Sequence, residues 1–149
     1  MSVFAALRPD SWNLPLFLHV LGGMVLVGVL VAGAVALLAS RRNEHSARLS
    51  RFAFRSLLFA GLPAYIAMFV SGEWMSSKEG LGGEDDPAWF IIGILVSDLA
   101  GLLLVVSIVL AALASWKSKA RLGRVAGAVV ALALILCLIG VWVMTTKPS

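Results

Sequence analysis

Charged residues are confined to short clusters, and the runs between them are long and apolar. Residues 11–40 contain no Asp, Glu, Lys or Arg, and neither do residues 56–72 and 125–146; residues 87–116 contain one, Asp98. Roughly 20 apolar residues span the hydrocarbon core as a helix, so three of these runs are long enough as they stand. The second is shorter, but Arg51 and Arg55 lie one helical turn apart at its end. Their stems lie along the helix while the guanidinium groups reach the interface. The pattern predicts spans over about 13–40, 49–72, 88–116 and 123–145. The expected fold class is all-α, a transmembrane four-helix bundle forming a single integral membrane domain over 1–149. Only 13% of residues are charged and 60% are hydrophobic, against about 25% charged in soluble domains. That leaves too little polar sequence to cover four such helices in water.

Local signals refine the layout. Pro15 suits an opening helical turn. Pro63 falls inside the second span, where it removes one backbone hydrogen bond and predicts a kink. Residues 73–86, with Gly80, Gly82 and Gly83, read as a flexible connection, and Asp86-Pro87 as a helix start with the acid as its cap. Residues 2–7 read as a short interfacial segment, broken at 8–11. The amino-terminal region has no basic start, and its apolar run is too long for the core of a cleavable signal peptide, so it reads as an uncleaved first span.

The net charge is +4, and the position of the basic residues explains it better than nucleic-acid binding does. Arg41, Arg42, Arg48, Arg51 and Arg55 surround the first connection, and Lys117, Lys119, Arg121 and Arg124 fill the third. The second carries Glu73, Glu79, Glu84, Asp85 and Asp86. The positive-inside rule puts the first and third connections in the cytoplasm, and both termini and the second connection outside it. The expected location is a bacterial cytoplasmic membrane. Trp12, Trp74, Trp89 and Trp142 fall at the outer ends and Trp116 at an inner end, in keeping with the interfacial preference of indole. The single cysteine, Cys137, has no partner for an intramolecular disulfide and reads as packing. The acidic run Glu84-Asp85-Asp86 lacks the spacing of a calcium loop.

The two helical hairpins resemble one another. Arg48-Leu49-Ser50-Arg51-Phe52-Ala53 opens the second span and Arg121-Leu122-Gly123-Arg124-Val125-Ala126 the fourth. An internal duplication would make them parallel repeats about an axis along the membrane normal. His19 and Asp98 would then face each other across that axis.

Ionisable residues inside a span are costly, normally face the bundle interior and pair with something. His19 lies one to two turns from the outer end of the first span, and Asp98 roughly 13 Å below Trp89 at helical rise. Tyr65 lies at comparable depth. Small residues recur beside each of them. Gly93, Ser97 and Gly101 form a close-packing stripe on the third span, and Gly22 and Gly23 one on the first. A bundle packed on these strips is expected to gather His19, Tyr65 and Asp98, with Asp98 accepting a bond from one of the other two. His19 is also a candidate haem or metal ligand. The other histidine, His45, belongs to the first connection, so bis-histidine ligation within one chain is excluded. Met24 and Met68 are the candidate second ligands.

Leu18-His19-Val20-Leu21-Gly22, opening a glycine-rich first span, and an arginine-flanked second span with Pro63 and Ser71-Gly72 at its end resemble a known group. It is that of the small bacterial integral-membrane proteins placed with the copper-resistance (CopD-like) membrane family. Ser71-Gly72-Glu73-Trp74, Ser77-Lys78-Glu79-Gly80 and Asp86-Pro87-Ala88-Trp89 are similar to an actinobacterial branch of it. The resemblance implies a four-helix bundle with His19 as the recurring polar residue of its span, and a link to copper or haem b.

No nucleophile–base pair, phosphate loop or zinc spacing occurs, and no enzymatic activity is expected. The leading expectation is an accessory or interaction subunit of a membrane assembly, contacting lipid and another membrane protein or a second copy. A haem or metal binder using His19 and a proton- or ion-coupled transporter using Asp98 are the alternatives. The charge asymmetry makes a topological prediction. In intact cells carrying Cys137→Ser, a cysteine placed at Gly83 should react with an impermeant maleimide. One placed at Ala47 should react only after the membrane is permeabilised.

Overall fold

The computed structural model describes residues 10–39, 46–83, 86–117 and 120–146. The interfacial segment expected at 2–7 lies outside them, as do Arg41, Arg42, His45, Glu84, Asp85, Lys119 and Lys147. A single 3-10 turn, Asp10–Trp12, leads into α1 (Asn13–Ala39). Then come α2 (Ser46–Ser56), a π turn (Leu57–Gly61), α3 (Leu62–Glu79), α4 (Ala88–Lys117) and α5 (Ala120–Thr146). No strand occurs among the described residues. α1, the continuous α2–α3 rod, α4 and α5 make four helices long and apolar enough to cross a bilayer. The fold is an all-α four-helix bundle, and the protein is a multi-pass membrane protein.

α1, α4 and α5 are apolar around most of their circumference, the pattern of a helix solvated by lipid. α2 is different. Arg48, Arg51 and Arg55 are exposed along one face, while Ala53 and the adjoining Leu57 are fully buried. The end of the bundle carrying these arginines, Arg121 and Arg124 is the basic end. The opposite end, with Glu73, Glu79 and Asp86, is the acidic end.

Two boundaries differ from the sequence reading. The second span continues past residue 72, because residues 73–79 contain no helix breaker. It stops at Gly80, which takes the left-handed conformation at φ 73. There the amides of Gly80 and Leu81 both donate to Ser76 O, satisfying a carbonyl that the helix end leaves open. Asp86 does not cap α4. Its carboxylate folds back on the connection and accepts from the Gly82 amide at 2.9 and 3.0 Å. The Pro87 carbonyl instead receives the Phe90 and Ile91 amides.

The helices form a ring that is closed at one end. α1 packs against α3 and α5, and α4 packs most extensively against α5. At the basic end α2 closes the ring by touching both α1 and α4. At the acidic end α3 stays with α1 and barely meets α4. The change of allegiance happens at the π turn. Pro63 has no amide hydrogen for the carbonyl of Phe59, and the neighbouring turn widens so that the Leu62 amide reaches Leu57 O instead. The core lies where the ring is closed: Leu26, Leu30, Leu37, Leu57, Leu104 and Val130 are sealed there.

Lipid is as apolar as leucine, so helix association in a membrane rests on close packing and hydrogen bonds rather than on hydrophobic burial. Gly22 shows the consequence. A Cβ there would stand 2.8 Å from Ala64 O and 2.9 Å from Met68 N, both backbone atoms of α3 that cannot swing away. Gly22→Ala is expected to destabilise the bundle by about 1–3 kcal/mol. Gly28→Ala, with nothing within 4 Å, should be neutral or stabilising by up to about 1 kcal/mol. Reversible unfolding in mixed micelles measures both.

Candidate functional site

A cavity of about 490 Å³ opens in the acidic half of the bundle, walled by α1, α3, α4 and α5. It exists because α3 and α4 part there and because small residues face the gap. Gly23 and Gly140 line it, and a Cβ added to them would come no nearer than 3.8 Å (Met68 Sδ) and 3.7 Å (Val96 Cγ1) to another part of the bundle. At the basic end the corresponding glycines are filled: a Cβ on Gly127 would stand 3.0 Å from Leu38.

Tyr65 does not line the cavity but joins two of its walls. Its hydroxyl crosses from α3 to α4 and donates to Ser97 O at 3.3 Å. Gly101 makes the crossing feasible, because any Cβ there would collide with the phenol. The Tyr65 ring stacks on Phe69, 5.9 Å between centroids, and Phe69 lines the cavity above it.

His19 is half-buried on the α1 wall. Its Nδ1 lies 2.8 Å from Met68 O. A carbonyl only accepts, so Nδ1 carries a proton, and in the neutral form of the ring Nε2 is the acceptor. Gly72 makes room for the ring, since a Cβ there would stand 3.2 Å from it. Every buried side-chain nitrogen and oxygen among the described residues has a partner. Nε2 has none among them and so is not sealed in the core, and His19 is one of the residues that line the cavity.

The expected gathering of His19, Tyr65 and Asp98 takes another form. His19 and Tyr65 each donate to a main-chain carbonyl, of Met68 and Ser97, rather than to Asp98 or to each other. Asp98 is exposed, on the flank of α4 beside its lipid-facing surface, near enough to Tyr65 to act on it electrostatically. The reason is angular. Ser97 and Ala100 turn toward the cavity, and Asp98 lies about 100° around the helix from its neighbour Ser97. His19 faces the cavity and Asp98 the outside, so the two do not oppose one another.

Among the candidate ligands, Met68 lines the cavity and Met24, 69% exposed, does not. Of the packing glycines, Gly22 meets α3, Gly93 receives Met144 and Gly101 receives Tyr65. Ser97 lines the cavity and offers its carbonyl to Tyr65. Among the described residues no three His, Cys, Asp or Glu side chains are grouped to hold a metal ion.

The cavity also draws on residues that the sequence reading assigned elsewhere. Trp12 and Trp89 stand on its walls as well as at span ends, and Glu73 and Glu79 belong to it rather than to a loop. Met75 and Met144 line it too. One signal was available: Trp12, Leu16, His19, Gly23 and Leu26 recur at helical spacing along one stripe of α1. The partners on α3 and α4 had no such signal, because their contribution depends on where the two helices separate.

No protein-family model matches the chain, and no curated protein or solved structure matches it either. The link between α3 and α4 at Tyr65 is directly testable. Tyr65→Phe, which loses only the bond to Ser97 O, should cost about 0.6 kcal/mol. Gly101→Leu, which claims the space of the phenol, should cost about 1–3 kcal/mol. Unfolding titrations of the two variants in one micelle system measure the difference.

Proposed function

We propose that this chain is a non-enzymatic, ligand-binding membrane protein that takes a lipid-soluble organic molecule into the cavity between α3 and α4. One observation carries the reading: a largely apolar cavity of about 490 Å³ has a single accessible imidazole nitrogen on its wall. Small-molecule sites typically run from about 300 to 1,000 Å³, apolar with a few placed polar groups. His19 Nε2 accepts a hydrogen bond from the ligand and orients it, while the bond from Nδ1 to Met68 O fixes the ring. The ligand enters from the membrane between α3 and α4, which have little contact with one another. With the basic connections in the cytoplasm, the cavity lies in the outer half of a bacterial cytoplasmic membrane.

The other readings have less support. An accessory subunit needs a face that a partner covers, and lipid alone accounts for the exposed apolar faces. Transport through Asp98 needs the carboxylate on a path, and Asp98 is not among the cavity's lining residues. Haem b suits the imidazole, since axial histidines are commonly held through the other ring nitrogen. It does not suit the rest of the site. Haem propionates want cationic partners, and among the described residues the lining contains Glu73 and Glu79 but no Lys or Arg.

Native mass spectrometry of protein released gently from its membranes is the test. The wild type should carry a small organic adduct, lost when Gly23→Phe fills the cavity and weakened in His19→Leu. A folded wild type with no adduct, and none after incubation with a total lipid extract of the host, would sink the proposal. A Soret band that disappears in His19→Leu would replace it with the haem reading.

A further inference from the structure

We infer that the ligand is a hydrophobic organic cation, an amine or onium centre carried on an aromatic or branched apolar body. The inference rests on the reading of the cavity as a ligand site and adds the charge of what enters it.

The sign comes from the lining. Among the described residues the only charged side chains there are Glu73 and Glu79, both on α3. The nearest lysine in sequence, Lys78, is engaged elsewhere. Its Nζ donates to Ser11 O at 2.8 Å and lies 5.4 Å from the centre of the Trp74 ring, and neither Ser11 nor Trp74 lines the cavity. The Asp86 carboxylate is held by the Gly82 amide. Asp98, on the exposed flank of α4 near Tyr65, adds a further acidic group outside the parting of α3 and α4. Clefts lined by one sign of charge with low-dielectric walls concentrate ions of the other sign.

The uncharged lining points the same way. In the neutral form of the ring, with Nδ1 bonded to Met68 O, His19 Nε2 is an acceptor. Ser76 gives its hydroxyl proton to Glu73 O, which leaves its oxygen lone pairs to the site. The thioethers of Met68, Met75 and Met144 are weak acceptors. Trp12, Phe69, Trp89 and Phe90 bring aromatic rings to the same walls, and ring faces attract organic cations, more strongly where water is excluded. Below them the walls are aliphatic and suit an apolar body. Among the described lining residues a fatty acid or any other anionic amphiphile meets two carboxylates and no cation.

Tetraphenylphosphonium and tetraphenylborate have nearly the same size and shape and opposite charge. Both are titrated against the whole chain in nanodiscs of neutral phosphatidylcholine, with empty nanodiscs as the blank. The cation should bind saturably at one site, and the anion should bind weaker by about tenfold or more. Glu73→Gln with Glu79→Gln should weaken the cation by about tenfold, and Glu73→Asp with Glu79→Asp should restore most of the loss. Both glutamates are exposed, so these substitutions leave the packing intact. Equal binding of the two ions, or cation binding indifferent to the double Gln variant, overturns the charge assignment and leaves the cavity reading in place. Failure of both ions to bind, in protein that still carries an adduct sensitive to Gly23→Phe, does the same. Failure of both ions in adduct-free protein overturns both.

Discussion

Pro63 cannot donate an amide hydrogen to the carbonyl one turn earlier, and the second span accommodates this with a π turn over Leu57–Gly61. The position of that turn divides the molecule. Before it, α2 closes the ring against α1 and α4, and the side chains of Leu57, Leu37 and Ala133 are fully buried. After it, α3 follows α1 and leaves α4. A straight second helix would have to hold contacts with both neighbours along its whole length. The wider turn releases it from that requirement, and the cavity lies in the space released.

The closeness of α3 to α1 is the other half of the same geometry. Gly22 admits the α3 backbone, and Gly72 admits the His19 ring. The bond from His19 to Met68 O then ties the two helices where they approach most closely. Such bonds contribute only about 0.6 kcal/mol on average in membrane bundles, because helices separated in lipid find other partners. Their value here is positional: with Nδ1 committed to a carbonyl, Nε2 has one orientation and one role. Tyr65 makes the matching link on the other side, where its hydroxyl joins α3 to Ser97 O of α4.

The architecture was legible because the constraint behind it is coarse. A helix must satisfy its own backbone in lipid and must be long enough to cross it, and both conditions can be read from residue types. The end of α3 was less legible. A polar stretch such as Glu73-Trp74-Met75-Ser76-Ser77-Lys78 reads as a loop by composition, yet nothing in it breaks a helix before Gly80. Of the site, His19 was visible, since a histidine in an apolar run demands a partner. That its partner would be a main-chain carbonyl was not, because every residue supplies one. Asp98 misled for the same reason. Residue type says that a carboxylate needs company, while its direction is set by a rotation of the helix that no single residue determines.

A bundle selected only for stability would have filled the acidic half. The chain packs glycine tightly elsewhere: Gly61 lies against Val29 at a notional Cβ distance of 3.3 Å and Gly127 against Leu38 at 3.0 Å. Gly23 and Gly140 have no such neighbour, and the atoms around them forgo the dispersion contacts that a filled site would provide. In water such a void is offset in part by burial of the surrounding apolar surface. In lipid there is no such offset, since the walls gain nothing from facing each other across a gap rather than facing acyl chains. Acyl chains supply such contacts wherever the cavity is reached from the membrane, so a ligand displaces them only if it also meets polar groups on the walls, which acyl chains leave unmet.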